Sequence, residues 1–188
     1  MIATERKRGR PRAFDAETGL DIALRAFAQR GFDAVGVADL CALMGVKPPS
    51  LYAAYGSKRD LFDRAVARYG AGTAAVYDAA IAQATDLPDL RRRVLTAALD
   101  LYLRDAGLGC LVISTLSSTA DPDLRDALSD LVAARRAGMI ARAIALGATR
   151  PEAEAEVMAI SVAMMGLSAA ARAGLGAEPL RAALDRLI

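Results

Sequence analysis

Apolar side chains recur every three or four positions along this chain and no stretch reads as a strand, so the pattern predicts helices throughout. Between Ala16 and Arg30, Leu20, Ala23, Leu24 and Phe27 share one helical face, and Gly31 ends the segment. Val37 to Met44 predicts a short second helix with Leu40, Cys41 and Met44 inward, stopped by Gly45. A third begins after Lys47, where Pro48 is tolerated at the first position because an N–H there would have no intrahelical acceptor. Ser57, with Asp60 three residues on, marks the start of a fourth helix whose apolar face is Leu61, Phe62, Ala65 and Val66 and which continues toward Ala84. Asp86-Leu87-Pro88 opens a fifth through Leu95, Leu99 and Leu103 until Gly107 and Gly109. Cys110 to Ser118 predicts a short apolar helix, Asp121-Pro122 a long one to about Leu146, Pro151 another to about Ala173, and Glu178-Pro179 the last. The expectation is an all-α protein of about nine helices.

Composition agrees with that class. Aromatic residues make up 5% of the 188, Trp is absent, and Ala, Leu, Arg and Asp dominate. The net charge is only +2, yet RKRGRPR, Arg6 to Arg12, holds five basic residues and no acid, so the N-terminus is a basic arm. Two cysteines, Cys41 and Cys110, in unrelated segments and no His argue against a metal site or a disulfide scaffold, and a reducing cytoplasm fits best. No charged segment followed by an apolar run stands at the start of the sequence, so no secretory signal is expected. The longest uncharged run, Val157 to Ala171, falls short of the roughly 20 residues that cross a bilayer and reads as a buried helix, so no membrane is expected. Without a His base, a nucleophile elbow or a strand before Gly70-Ala71-Gly72 or Gly107-Leu108-Gly109, no catalytic residue and no cofactor is expected, and the chain does not read as an enzyme.

GVKPPSLYAAYGSK, residues 45–58, holds two short helices at a corner made by Gly45-Val46-Lys47, which is the form of a helix-turn-helix whose second member can enter the DNA major groove. Phe27 to Phe62, with its Phe…Gly-Phe, Gly-Val, Leu-Tyr, Tyr-x-Ser-Lys and Leu-Phe landmarks, strongly resembles the DNA-binding domain of the TetR family of bacterial repressors. That resemblance implies an N-terminal three-helix DNA-binding domain followed by a helical ligand-binding and dimerisation domain. It divides the chain into a flexible arm, residues 1–14, a reading domain, 15–70, and a sensing and dimerising domain, 71–188.

The resemblance puts Lys47, Pro48, Pro49, Ser50, Tyr52, Ala53 and Tyr55 on or beside the recognition helix and Lys58 at the start of helix four. Tyr52 and Lys58 look like the family's phosphate-contacting pair, and Ser50 and Ala53 could meet base edges or a thymine methyl. Tyr55 stays open between a DNA contact and an inward aromatic. Val35-Gly36 stands where relatives usually place a Thr or Ser pair, and Lys47 where a capping Ser is common. Arg8, Arg10 and Arg12 flank Gly9 and Pro11 in the manner of a minor-groove hook, the alternative being a solvated tail.

Half-site recognition calls for a dimer, and Glu156 to Gly176, apolar around most of its circumference and rich in small residues, could form its interface with the last helix; burial within one subunit is the alternative. The resemblance further implies a pocket between helices four and eight for a small-molecule effector that lowers operator affinity, with Tyr77, Tyr102, Ser114, Thr115, Met164 and Met165 as candidate lining residues, each of which could equally be core. Its wall should be apolar with few fixed charges. Cys110 could sense oxidants or serve as a small buried hydrophobe. Two other readings remain: a helical interaction module with a basic arm, and a DNA-binding regulator without an effector.

Overall fold

The computed structural model describes residues 14–188. Among them it holds nine α-helices and no strand: α1 Ala16–Arg30, α2 Val37–Met44, α3 Pro48–Tyr55, α4 Lys58–Ala82, α5 Leu87–Gly107, α6 Leu111–Ser118, α7 Pro122–Ala145, α8 Arg150–Arg172 and α9 Ala177–Leu184. Local chemistry sets the boundaries. Asp15 caps α1 by accepting from the Glu17 and Thr18 N–H groups, Ser57 and Asp60 cap α4 reciprocally, and Asp86 and Asp121 cap α5 and α7 ahead of a proline. Thr149 and Glu152 cap α8 one residue earlier than the proline alone suggests.

Two apolar cores form. The first gathers Leu20, Phe27, Leu40, Leu51, Leu61 and Phe62 from α1 to α4. At its centre Phe27, Phe32 and Phe62 meet with ring centroids 4.8–5.9 Å apart, mostly edge to face. Leu111, Leu124 and Leu128, from α6 and α7, are buried in this same core. The second core gathers α5, α8 and α9 through Leu90, Leu95, Leu99, Val157, Ile160, Leu180 and Leu184, with Tyr77, Ala80 and Ala84 from the end of α4 and beyond.

The expected division at residue 70 therefore falls inside a continuous helix, α4, which belongs to both cores. Further ties cross the same junction. Asp33 accepts from the Ala120 N–H at 2.8 Å and from the Thr119 hydroxyl at 3.3 Å, Arg59 faces Asp121 at 3.8 Å, and Arg172 on α8 donates to the Ala28 carbonyl. These contacts join the first helices to α7, α8 and the loop before α7.

By length and composition alone, α8 is long and apolar enough to cross a membrane. Only one side of it, Val157, Ile160, Met164, Leu167 and Ala171, is buried, against α5 and its neighbours. The opposite side presents Met158, Val162 and Met165, each about half exposed at 46%, 59% and 48%.

Candidate nucleic-acid interface and the cavity behind it

The corner between α2 and α3 follows from its residues. Gly45 ends α2 in the left-handed region, φ 67 and ψ 32, where a side chain would be strained. Its N–H donates to the Ala42 carbonyl and that of Val46 to the Cys41 carbonyl, so the last carbonyls of α2 are satisfied while the chain turns. Lys47 is the N-cap of α3 and contributes no side-chain hydrogen bond there. Pro48 and Pro49 fill the first two helical positions, where their missing N–H groups leave nothing unsatisfied, and the first amides able to donate, Ser50 and Leu51, both reach the Lys47 carbonyl.

Buried Leu51 fastens α3 inward, and the other side faces out: Lys47, Pro48, Pro49, Ser50, Tyr52 and Ala53 are all exposed, Tyr52 by 49%. This one face gathers six of the eight residues expected at the corner and at the start of helix four. Lys58 is the first residue of α4, and its ammonium lies 4.2 Å above the centre of the Phe32 ring. Burial there pulls its pKa below the usual lysine value, opposed by the Asp33 carboxylate.

Tyr55 is corrected. It is buried, its hydroxyl donates to the Ala16 carbonyl at 2.6 Å, and its ring meets Phe14 edge to face at 6.0 Å. Burial and the nearby Asp15 and Glu17 carboxylates raise its pKa, keeping the phenol a donor. It joins α3 to the start of α1 and does not reach the outer face. Gly36 leaves α2 without a hydroxyl cap, but Asp39 still accepts from the Gly36 N–H at 2.8 Å, and Arg30 pairs with Asp39 at 3.3 Å. Arg8, Arg10 and Arg12 lie outside the described residues.

A cavity of about 290 Å³ opens among α4, α6, α7 and α8. Tyr77, Met164 and Met165 line it, as does Cys110. Tyr102, Ser114 and Thr115 do not. Tyr102 is fully buried in the second core, and Thr115 is fully buried with a hydroxyl that finds no partner among the described residues. Ser114 donates to the Leu111 carbonyl of its own helix at 3.1 Å. Sequence reasoning overlooked Tyr69, Thr73, Arg135 and Arg136, all of which line the cavity. Tyr69 and Thr73 share a face of α4 with Tyr77, at successive spacings of four residues, a signal that spacing could have supplied. Nothing local tells which way the Arg135-Arg136 pair points. Burial raises the pKa of Tyr69, and that of Tyr77 to about 12, so both phenols are protonated at neutral pH.

An exposed, proline-started helix held by a glycine turn over a three-helix core defines a helix-turn-helix DNA-binding protein. The family model for bacterial regulatory proteins of the tetR family matches residues 20–65. The chain is 36% identical over 185 residues, 96% of its length and 91% of the relative's, to the HTH-type transcriptional repressor BdcR of Escherichia coli (strain K12). It is 31% identical over 129 residues, 68% of its own length and 61% of the relative's, to the HTH-type transcriptional repressor ComR of the same organism. It also resembles the solved structure of the TetR family regulator CifR, a cysteine mutant complexed with a 26 bp double-strand operator DNA. There the TM-score is 0.77 and the identity 30%, covering 95% of this chain and 97% of that one. The chain belongs to the tetR family and is a DNA-binding transcriptional repressor, not an enzyme.

Proposed function

We propose that this repressor works in the cytoplasm as a homodimer and leaves its operator when a small molecule fills the cavity between α4 and α8. One observation carries the reading: the cavity is walled by α4, the same helix whose first turn borders the reading face. A ligand that prefers a displaced α4 would change the separation of two recognition helices and so weaken binding to half-sites spaced by about 34 Å. Residues 15–70 read DNA and 71–188 sense and dimerise, with α4 shared between the two tasks. The contact set is Lys47, Pro48, Pro49, Ser50, Tyr52, Ala53 and Lys58, supplemented by Arg8, Arg10 and Arg12 of the arm, residues 1–14.

Dimerisation is supported by the exposed side of α8. Ala155, Met158, Ala159, Val162, Met165, Gly166 and Ala169 lie three or four residues apart and are all exposed. Such a stripe of small and flexible apolar residues suits close packing against its symmetry mate. Light scattering tests the dimer, and displacement of labelled operator DNA by a small-molecule panel tests the release. Release by no compound, with no thermal shift across the panel, would leave a repressor without an effector.

A further inference from the structure

The cavity combines an apolar wall with two arginines that have no acidic partner among the described residues. Among the described residues, Arg135 and Arg136 are the only charged ones in its lining; no Asp or Glu contributes to the wall. Neither arginine enters an ion pair among the described residues. The Nη1 of Arg135 and the Nε of Arg136 are buried and have no hydrogen-bond partner there. Buried guanidinium N–H groups without acceptors are uncommon because the lost hydration is not replaced. The Arg135 guanidinium is also held in place, 4.2 Å above the Tyr77 ring, which orients its planar fork.

A guanidinium fork matches a carboxylate, whose two oxygens accept parallel N–H donors. Tyr69 and Tyr77 line the same wall, and Leu131, Met139, Met164 and Met165 offer it apolar, adaptable surface. At about 290 Å³ the space is near the lower end of ligand cavities, which span about 300–1,000 Å³. We infer that the cavity takes a small amphipathic monocarboxylate, with its carboxylate at Arg135 and Arg136 and its hydrocarbon or aromatic body among the methionines. The regulatory consequence rests on the effector reading above; the binding does not.

The test compares matched probes on the full chain by calorimetry: octanoate, octanamide and octylamine, and phenylacetate with phenylacetamide. The carboxylates should bind at least about tenfold more tightly than the amides, and the amine most weakly. Arg135→Gln and Arg136→Gln should each erode that preference, while Arg135→Lys, which keeps the charge but not the fork, should retain part of it. The ranking on the unaltered protein stands even if a variant fails to fold. Amides that bind as well as acids, an acid preference unchanged in both glutamine variants, or no binding by any probe at millimolar concentration would each overturn the inference. Operator release is followed in parallel. Acids that bind without releasing DNA would refute the effector reading and leave the anion site standing, whereas neutral compounds alone binding and releasing DNA would do the reverse.

Discussion

Gly19→Ala tests how the reading helix is held. On propensity alone this change in the interior of α1 should stabilise the protein by about 0.8–1 kcal/mol. The packing says otherwise. A Cβ at position 19 would sit 2.3 Å from the Tyr55 hydroxyl oxygen and 2.5 Å from Cζ of Phe14, well inside contact distance. Tyr55 cannot simply turn aside, because its hydroxyl is bonded to the Ala16 carbonyl and its ring is buried. Overpacking of this kind costs about 1–3 kcal/mol, and losing the hydrogen bond adds about 1 kcal/mol. The propensity gain offsets part of this, leaving a net loss of about 1–3 kcal/mol, or about 2–4 °C in Tm per kcal/mol for a chain of this size. Thermal and urea unfolding followed by circular dichroism measure it. Tyr55→Phe alone should cost about 1 kcal/mol and, since the side chain faces inward, leave operator affinity within about twofold. Combined with Gly19→Ala it should cost less than the two changes summed, because removing the oxygen relieves the closest approach. A stabilised Gly19→Ala, or strict additivity of the pair, would refute this account of how Tyr55 packs over Gly19.

Other expectations concern the reading face, the dimer and acid stability. Tyr52→Phe and Lys58→Met should weaken operator binding, and Lys58→Met should lower the salt slope by about 0.9 for each phosphate that it leaves without a cation, read by anisotropy at several salt concentrations. Removing residues 1–12 should likewise weaken binding and flatten its salt dependence; an unchanged slope would exclude the arm from the complex. Val162→Glu, which puts a charge in the middle of the exposed α8 stripe, should yield a monomer by light scattering and reduced operator affinity. Asp89 is held to a pKa of about 2, first by Arg93, then by the Thr85 N–H and Arg92, with burial opposing. Because this folded-state value lies below the ordinary 3.8, its contribution is present above 3.8 and is lost as pH falls through about 2. Asp89→Asn should therefore lower Tm at neutral pH and converge with the parent in strong acid.

The helices were legible because their ends are written locally. Asp15, Gly31, Gly45, Ser57, Asp86 and Asp121 each terminate or start a helix through a bond or a backbone angle made within a few residues. The set on α3 came from the family resemblance, and the packing agrees with most of it: with Leu51 inside, Ser50, Tyr52 and Ala53 lie outside. What failed to show depended on distant partners. Tyr55 turns inward because Gly19, in another helix, leaves room for its hydroxyl. The first core reaches into α6 and α7 because Leu111, Leu124 and Leu128 dock there, which no pattern around residue 70 reveals. Likewise Ser114 and Thr115 sit on the same short helix as Val112, Ile113 and Leu116, yet only the last three line the cavity, while Thr115 is fully buried and Ser114 donates to the Leu111 carbonyl.

Sequence-specific DNA recognition by the α3 face is most directly tested by fluorescence anisotropy with duplex DNA flanking the repressor's own gene, against a scrambled duplex, at two salt concentrations, for the parent and for Ser50→Ala with Tyr52→Ala. The parent should prefer the flanking duplex by about a thousandfold or more at physiological salt, and the double variant should lose most of that margin. Negligible binding to any DNA at low salt, or a preference that survives removal of both side chains, would contradict the assignment of this face.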